Sequence, residues 1–218
     1  MDTNTPGYGG EPAFFKECAS EIKKGKTVNS LIFKMSNHVG THIDVPYHFD
    51  ENGKKLDEYS DDFWIFQNTY VLNLNANKDE IIEISDPWNE IPKNCDLLLI
   101  RTGFEEYRSD KIYWSNNPGL SDKVGLWVRS HRPSIRVMGL DFISVTAFQN
   151  RPMGRQAHQT LLGPGAGTPV CVIEDMRLSH LNFQPRKIVV SPLFVRGADG
   201  GQVTVFAFAE GFKNADLL

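Results

Sequence analysis

The chain has 218 residues, a length that at about 150 residues per domain predicts one domain spanning 1–218. Hydrophobic residues make up 40% and charged residues 23%, a balance that excludes disordered, collagen-like and coiled-coil chains. With 23 Lys plus Arg against 27 Asp plus Glu the formal charge is −4, so the basic footprint of a nucleic-acid binder is missing.

Residues 1–15 are rich in Gly and Pro and read as irregular backbone, followed by a short charged helix expected over 15–24. From Val28 the text SLIFKMSNHVGTHIDVPYHF alternates β-branched and aromatic residues, which predicts a strand running into a bent, Gly-containing segment. Further strands are expected at FWIFQNTYVLNLNA (63–76) and at DLLLIRTGF (96–104), the second an unbroken apolar run suited to a sheet buried on both faces. GLSDKVGLWVRSHRP (119–133) has a cap at Ser121, helical spacing of Leu120, Val124, Trp127 and Val128, and a stop at Pro133. IRVMGLDFISV (135–145) reads as strand, GRQAHQTLLG (154–163) as helix and TPVCVIEDM (168–176) as strand. KIVVSPLFVRG and GQVTVFAFAEG then form a pair, with ADGG as the hairpin turn. The pattern predicts an α/β protein, a mixed β-sheet core with a few flanking helices.

Cys18, Cys95 and Cys171 are too few and too scattered for a disulfide framework or a CxxC site, which predicts a reducing compartment. MDTNTPGYGGEPAFF lacks a basic segment followed by an apolar run, and no stretch approaches about 18 apolar residues. A cytoplasmic protein with no membrane partner is therefore expected.

Three of the six histidines fall within eleven residues, HVGTHIDVPYH, and His38, His42, Asp44 and His48 stand at even separations. In an extended strand all four project from one face. Fully extended, His38 and His42 would lie roughly 13 Å apart at Cα, too far for one ion. The backbone must bend between them, and Gly40 permits it; Pro46 suits a kinked edge more than a central strand. A partly exposed strand with locally satisfied histidines is the alternative, but three His and an Asp on one face favour a metal site.

The string HVGTHIDVPYH fills all seven fixed positions of the signature H-x-G-T-H-x-D-x-P-x-H, and so resembles the cyclase family of metal-dependent hydrolases, which includes kynurenine formamidases and isatin hydrolases. TPGYGGEP (5–12), DLLLIRTGF, GLDFISV, HQTLLG and VIEDM are similar to further landmarks of that family. The resemblance implies a swivelling β/β/α fold in which His38, His42 and Asp44 bind a metal and Asp44 bridges to a second. It further implies His158 and Glu174 as ligands of the second ion, His48 as the catalytic histidine, and Tyr8 as an aromatic residue against the substrate. Without it, His158 reads equally as a solvated helix residue, Glu174 as a strand-end charge and Tyr8 as a loop tyrosine. The stretch PGAGTP makes the segment between His158 and Glu174 longer than the family usually has. The chain also starts at MDTNTPG, where the resembling proteins have an initial strand with Asp-Leu-Ser, so one sheet edge is expected to be built differently.

The activity these readings predict is hydrolysis of an amide-type C–N bond, in an aryl formamide or a cyclic amide. The cofactor is one or two Zn²⁺ or Mn²⁺ ions per chain, the partner is a small-molecule substrate, and the assembly is a homo-oligomer, dimer or tetramer. Two other readings stay open: a two-His, one-carboxylate Fe or Mn oxygenase on His38, His42 and Asp44, and a non-catalytic metal-binding or protein-interaction module. No Gly-x-Ser-x-Gly elbow, Walker loop or dinucleotide fingerprint occurs.

Overall fold

A computed structural model describes residues 1–209. Twelve strands alternate with turns and three α-helices: β1 (Phe14–Ser20), β2 (Ser30–Met35), β3 (His42–Asp44), β4 (Ile65–Phe66), β5 (Thr69–Asn73), β6 (Ile81–Ile82), β7 (Leu97–Arg101), α1 (Ile112–Ser115), β8 (Gly119–Leu120), α2 (Asp122–His131), β9 (Val137–Leu140), α3 (Arg151–Leu162), β10 (Cys171–Glu174), β11 (Lys187–Pro192) and β12 (Gly200–Phe208). Eight of them form one sheet in the order β4-β11-β12-β3-β10-β9-β7-β5. The run from β5 to β10 is parallel, and the run from β10 to β4 is antiparallel. This is the mixed α/β sheet with flanking helices that the sequence predicts.

The apolar run at β7 shows why the sheet needs cover on both faces. Leu98 and Ile100 point into a core shared with Val124, Val128 and Leu161 of the helices. Leu97 and Leu99 enter the opposite core, to which all eight strands contribute, among them Ile43, Phe66, Val71, Ile188 and Val203. A sheet whose every strand reaches one core must curl around it. Ser121 caps α2 by accepting from the Lys123 amide at 3.3 Å, as its position predicts. Among the described residues no helix is long and apolar enough to cross a membrane, and all three cysteines are free.

Several elements differ from their sequence expectation. The segment 15–24 is not a helix: it forms β1 and a short 3₁₀ turn (Ile22–Lys24), because cross-strand pairing with β2 outweighs its local preference. The strand expected over 63–76 is split into β4 and β5. β9 stops at Leu140, since the Asp141 carboxylate leaves the ladder to accept from the amides of Thr102 and Gly103. Helix α3 starts three residues before Gly154, capped by Asn150 and carrying Pro152 in its first turn. β11 and β12 pair as expected, but the loop is wider than a tight turn, and the two glycines of ADGG already belong to β12. The last two residues of the expected strand GQVTVFAFAEG, 210 and 211, lie outside the described residues. β3 is no edge strand; it sits between β12 and β10, and Pro46 falls past its end in a 3₁₀ turn, Pro46–His48.

Candidate metal centre

Alternation along β3 sends Ile43 into the sheet's enclosed core and turns His42 and Asp44 to the opposite face. Strand β10 runs antiparallel beside it with Glu174 opposite His42, so the carboxylate stands on the same face. From above, α3 brings in His158 on its buried side with Ala157 and Leu161. The chain bends away before β3 at Gly40, whose φ of +67° is a left-handed conformation that favours glycine, and this returns His38 toward Asp44. After β3 the Pro46–His48 turn swings His48 back over the same spot, where its ring stacks on His38 with centroids 4.2 Å apart. Only the central pair of the evenly spaced residues is therefore extended. The outer two converge by turns.

Asp44 is 1% exposed, and His42, His158 and Glu174 are each 4% exposed. His38 Nδ1 lies 2.8 Å from Asp44 Oδ1 and His42 Nε2 lies 3.4 Å from it. His42 Nε2 is 3.6 Å from Glu174 Oε2, and His158 Nε2 is 3.3 Å from Glu174 Oε1 and 3.8 Å from Asp44 Oδ2. Donor atoms of His42, Asp44 and Glu174 all lie within 4.8 Å of one another, as do those of His38, Asp44 and His48, so Asp44 belongs to both groups.

The second ring nitrogens are already committed. His42 Nδ1 donates to the Gly40 carbonyl at 2.8 Å, and His158 Nδ1 donates to the Gly154 carbonyl at 2.9 Å. A carbonyl only accepts, so Nδ1 carries the proton in each, and the ring in its neutral form would present a bare Nε2 inward, the arrangement that orients metal-binding histidines. Glu174 Oε1 is aimed by the Val145 amide at 2.7 Å and the Ser144 hydroxyl at 3.1 Å.

Among the described residues the ion-pair partners of Asp44 and Glu174 are all histidines. Two buried carboxylates beside neutral imidazoles leave negative charge that a low-dielectric site does not tolerate. The ionic state responds accordingly. Burial pulls His42 and His158 down, but hydrogen bonds and charge from Asp44 and Glu174 outweigh it and both are raised. Burial likewise disfavours charge on His38, which Asp199 and Asp44 nevertheless push up to about 10. Burial tends to raise Asp44, yet the flanking histidines hold it well below the usual carboxylate range. A divalent cation answers the same demand, and a set of imidazole nitrogens and carboxylate oxygens is of the right chemistry for Zn²⁺ or Mn²⁺.

All seven residues singled out from the sequence, His38, His42, Asp44, His48, His158, Glu174 and Tyr8, line one cavity of about 260 Å³. The long PGAGTP segment does not carry Glu174 away. Asp199 was missed. Its Oδ2 accepts from His48 Nδ1 at 2.7 Å and lies 3.0 Å from His38 Nε2, while Oδ1 accepts from the Asn37 side chain at 2.6 Å. The hydrogen bonds from His38 and His48 hold its carboxyl far below the ordinary value. The sequence read this residue as part of a turn, and only a carboxylate preceding Gly-Gly hinted at more. Thr146, whose hydroxyl stands 3.1 Å from His158 Nδ1, was missed too.

Comparison with known proteins finds similar sequences and folds. Residues 2–147 match the Cyclase family model, described as "Putative cyclase". The kynurenine formamidase of Geobacillus thermodenitrificans is 25% identical over 211 residues, 93% of this chain and 91% of that protein. Isatin hydrolase A from Labrenzia aggregata, bound to benzyl benzoate, superposes with a TM-score of 0.73 at 22% identity, covering 88% of this chain and 81% of its own. A structure described as a potential metal-dependent hydrolase with cyclase activity superposes with a TM-score of 0.68 at 20% identity, covering 94% and 92%.

Proposed function

The chain belongs to the cyclase family, and from that premise we propose that it is a metal-dependent amide hydrolase that opens the C–N bond of an aryl formamide or a cyclic amide with water. The observation that carries this reading is the convergence of four buried ligand side chains, His42, Asp44, His158 and Glu174, with His38 and His48 on one cavity. His38, His42 and Asp44 would hold one divalent ion, and Asp44, His158 and Glu174 would hold a second. When bound, such ions polarise a carbonyl and bring the pKa of water toward neutrality.

This chain's residues supply the proton traffic and the positioning. His48 Nδ1–H is fixed on Asp199, which leaves Nε2 as the basic atom of the ring. It takes a proton from the attacking water as the new C–O bond forms, then returns it to the nitrogen as the C–N bond breaks. The products are a carboxylic acid and an amine, and Nε2 ends as it began. The negative Asp199 stabilises the imidazolium that exists between the two transfers. Tyr8, Phe49 and Ile143 give the cavity apolar walls suited to an aryl group.

We place this activity in the cytoplasm, acting on a small molecule, in a homo-oligomeric dimer or tetramer. The exposed Phe15, Leu31, Ile32 and Phe33 of the β1–β2 ribbon support the oligomer. Metal analysis together with a panel of formanilides, lactams and esters tests the reading. Amine and acid release that a chelator abolishes and Zn²⁺ or Mn²⁺ restores, with no oxygen uptake, is expected. Oxygen consumption on turnover would point to the oxygenase instead, and tight metal binding with a silent panel to a non-catalytic module.

A further inference from the structure

Asp175 directly follows Glu174 and has a φ of +54°, in the left-handed region that residues other than glycine enter at a cost. We propose that Asp175 is a positioning residue of the metal centre: Arg108 and Tyr113 anchor its carboxylate, the anchored turn aims Glu174 into the site, and Thr41 ties the same turn to His42. This deepens the metal-dependent hydrolase reading and rests on it.

The ladder between β3 and β10 ends at the pair His42 and Glu174. Beyond that pair both chains turn, at Gly40 on one side and at Asp175 on the other. Strand ends fray where a ladder stops, and here the Thr41 hydroxyl closes the gap by donating to the Asp175 carbonyl at 2.7 Å. Toward β9, the Asp175 amide donates to the Phe142 carbonyl at 3.0 Å and the Met176 amide to the Leu140 carbonyl at 2.9 Å. Two residues past Phe142 the same loop supplies the Ser144 hydroxyl and the Val145 amide that hold Glu174 Oε1. An extended residue 175 would carry Met176 away from Leu140 and part the end of β10 from the loop that aims Glu174.

The anchor comes from outside the eight-stranded sheet. Arg108 follows the 3₁₀ turn Phe104–Tyr107, and Tyr113 belongs to α1. Arg108 grips both carboxylate oxygens, with Nε 2.9 Å from Oδ1 and Nη2 on Oδ2, and the Tyr113 hydroxyl donates to Oδ1 at 2.6 Å. Asp175 is 2% exposed and Tyr113 is fully buried. A bidentate guanidinium fixes a carboxylate in direction as well as in place, so the side chain holds a backbone angle that the residue alone would rarely keep. Asp175 belongs to neither donor group of the metal centre, and neither Arg108 nor Tyr113 lines its cavity. The three residues therefore act on the site through Glu174 and His42.

The test measures Zn²⁺ affinity by competition with a chelating dye, for the wild type and for variants at residue 175. Asp175→Ala should weaken the less tightly held ion by about 10- to 100-fold, the range for outer partners of metal ligands, and leave the tighter ion within about threefold. Asp175→Gly permits the turn without anchoring it and should lose nearly as much. Asn also tolerates the left-handed region and offers Tyr113 an acceptor, so Asp175→Asn should recover most of the affinity. Should Asp175→Ala not fold, Arg108→Gln and Tyr113→Phe carry the test, each with a several-fold loss. Unchanged affinities with a lowered Tm would mean that the cluster only stabilises the fold, and would overturn the proposal. So would wild-type affinity in Asp175→Gly. Crystal structures of the metal-free wild type and Asp175→Ala read the turn without metal or turnover: Glu174 should leave the Val145 amide in the variant, and an unmoved Glu174 would overturn its positioning by Asp175. A wild type that binds no Zn²⁺, or binds it and cleaves no amide, would instead defeat the metal-dependent hydrolase reading, while the two structures still decide the role of Asp175.

Discussion

Asp199 grips two imidazoles with one carboxylate, bonding His48 at Nδ1 and His38 at Nε2, and so ties the proposed base to a proposed ligand. His48→Ala should keep near-normal metal content while kcat falls by about 10²- to 10⁴-fold, the range for losing a general acid or base; loss of metal would make His48 a ligand. Asp199→Asn should cost about 10- to 100-fold in kcat, as for partners that orient a working histidine. Because Asp199 acts through His48, the double variant should be no slower than His48→Ala alone, and independent, multiplying losses would refute that coupling. His42→Ala and Asp44→Ala each remove a buried ligand and should lose bound metal along with activity. Full occupancy measured by mass spectrometry in either variant would remove that residue from the ligand set.

Between α3 and β10 the chain must cross the long PGAGTP loop and still bring Glu174 back to His158. Arg129 of α2, 6% exposed, makes the return possible. Its guanidinium donates to the carbonyls of Thr160 at 3.0 Å, Gly163 at 2.9 Å and Gly167 at 2.7 Å, satisfying the end of α3 and the loop together. The Val170 amide then bonds the Leu161 carbonyl and leads directly into β10. Arg129→Ala strands these acceptors and should destabilise the protein by about 2–3 kcal/mol, charge-assisted bonds being the stronger class. At this chain length that is a fall in Tm of roughly 5–10 °C. An unchanged Tm would show that the loop does not depend on the tie.

Across the whole molecule, β10 is shared by the parallel and antiparallel halves of the sheet and pairs antiparallel with the central strand β3, and the candidate metal centre lies over these two strands beneath α3. An ion bound there would hold residues of β3, β10 and α3 together as well as the fold does. Binding to the folded state alone stabilises by mass action, so adding Zn²⁺ or Mn²⁺ should raise Tm and chelation should lower it. With Asp44 in both donor groups, titration should approach two ions per chain, and Glu174→Gln should bring it toward one. Saturation at one ion, with Glu174→Gln leaving occupancy and rate within about twofold, would establish a single-metal centre.

Spacing within one segment was enough to group His38, His42, Asp44 and His48 at one place, because a short stretch of chain with a glycine bend has few ways to keep even-numbered residues apart. The continuous apolar run of β7 and the Ser121 cap of α2 were legible for the same reason: burial on two faces and an orphan amide are local demands. Strand β1 was not, since a hairpin exposed on both faces carries no buried periodicity, and the charges of 15–24 resembled those of a surface helix. The outer boundary of β9 depended on Asp141 reaching Thr102, 39 residues away. His158 and Glu174 were reached through resemblance, while Asp199, 151 residues from the histidine it holds, was not found at all. Residue types and their local periodicity determined the chemistry available to this chain. Which distant carboxylate meets which imidazole was decided by the tertiary fold, because that pairing follows from strand order and loop closure, and neither leaves a periodic trace in the sequence.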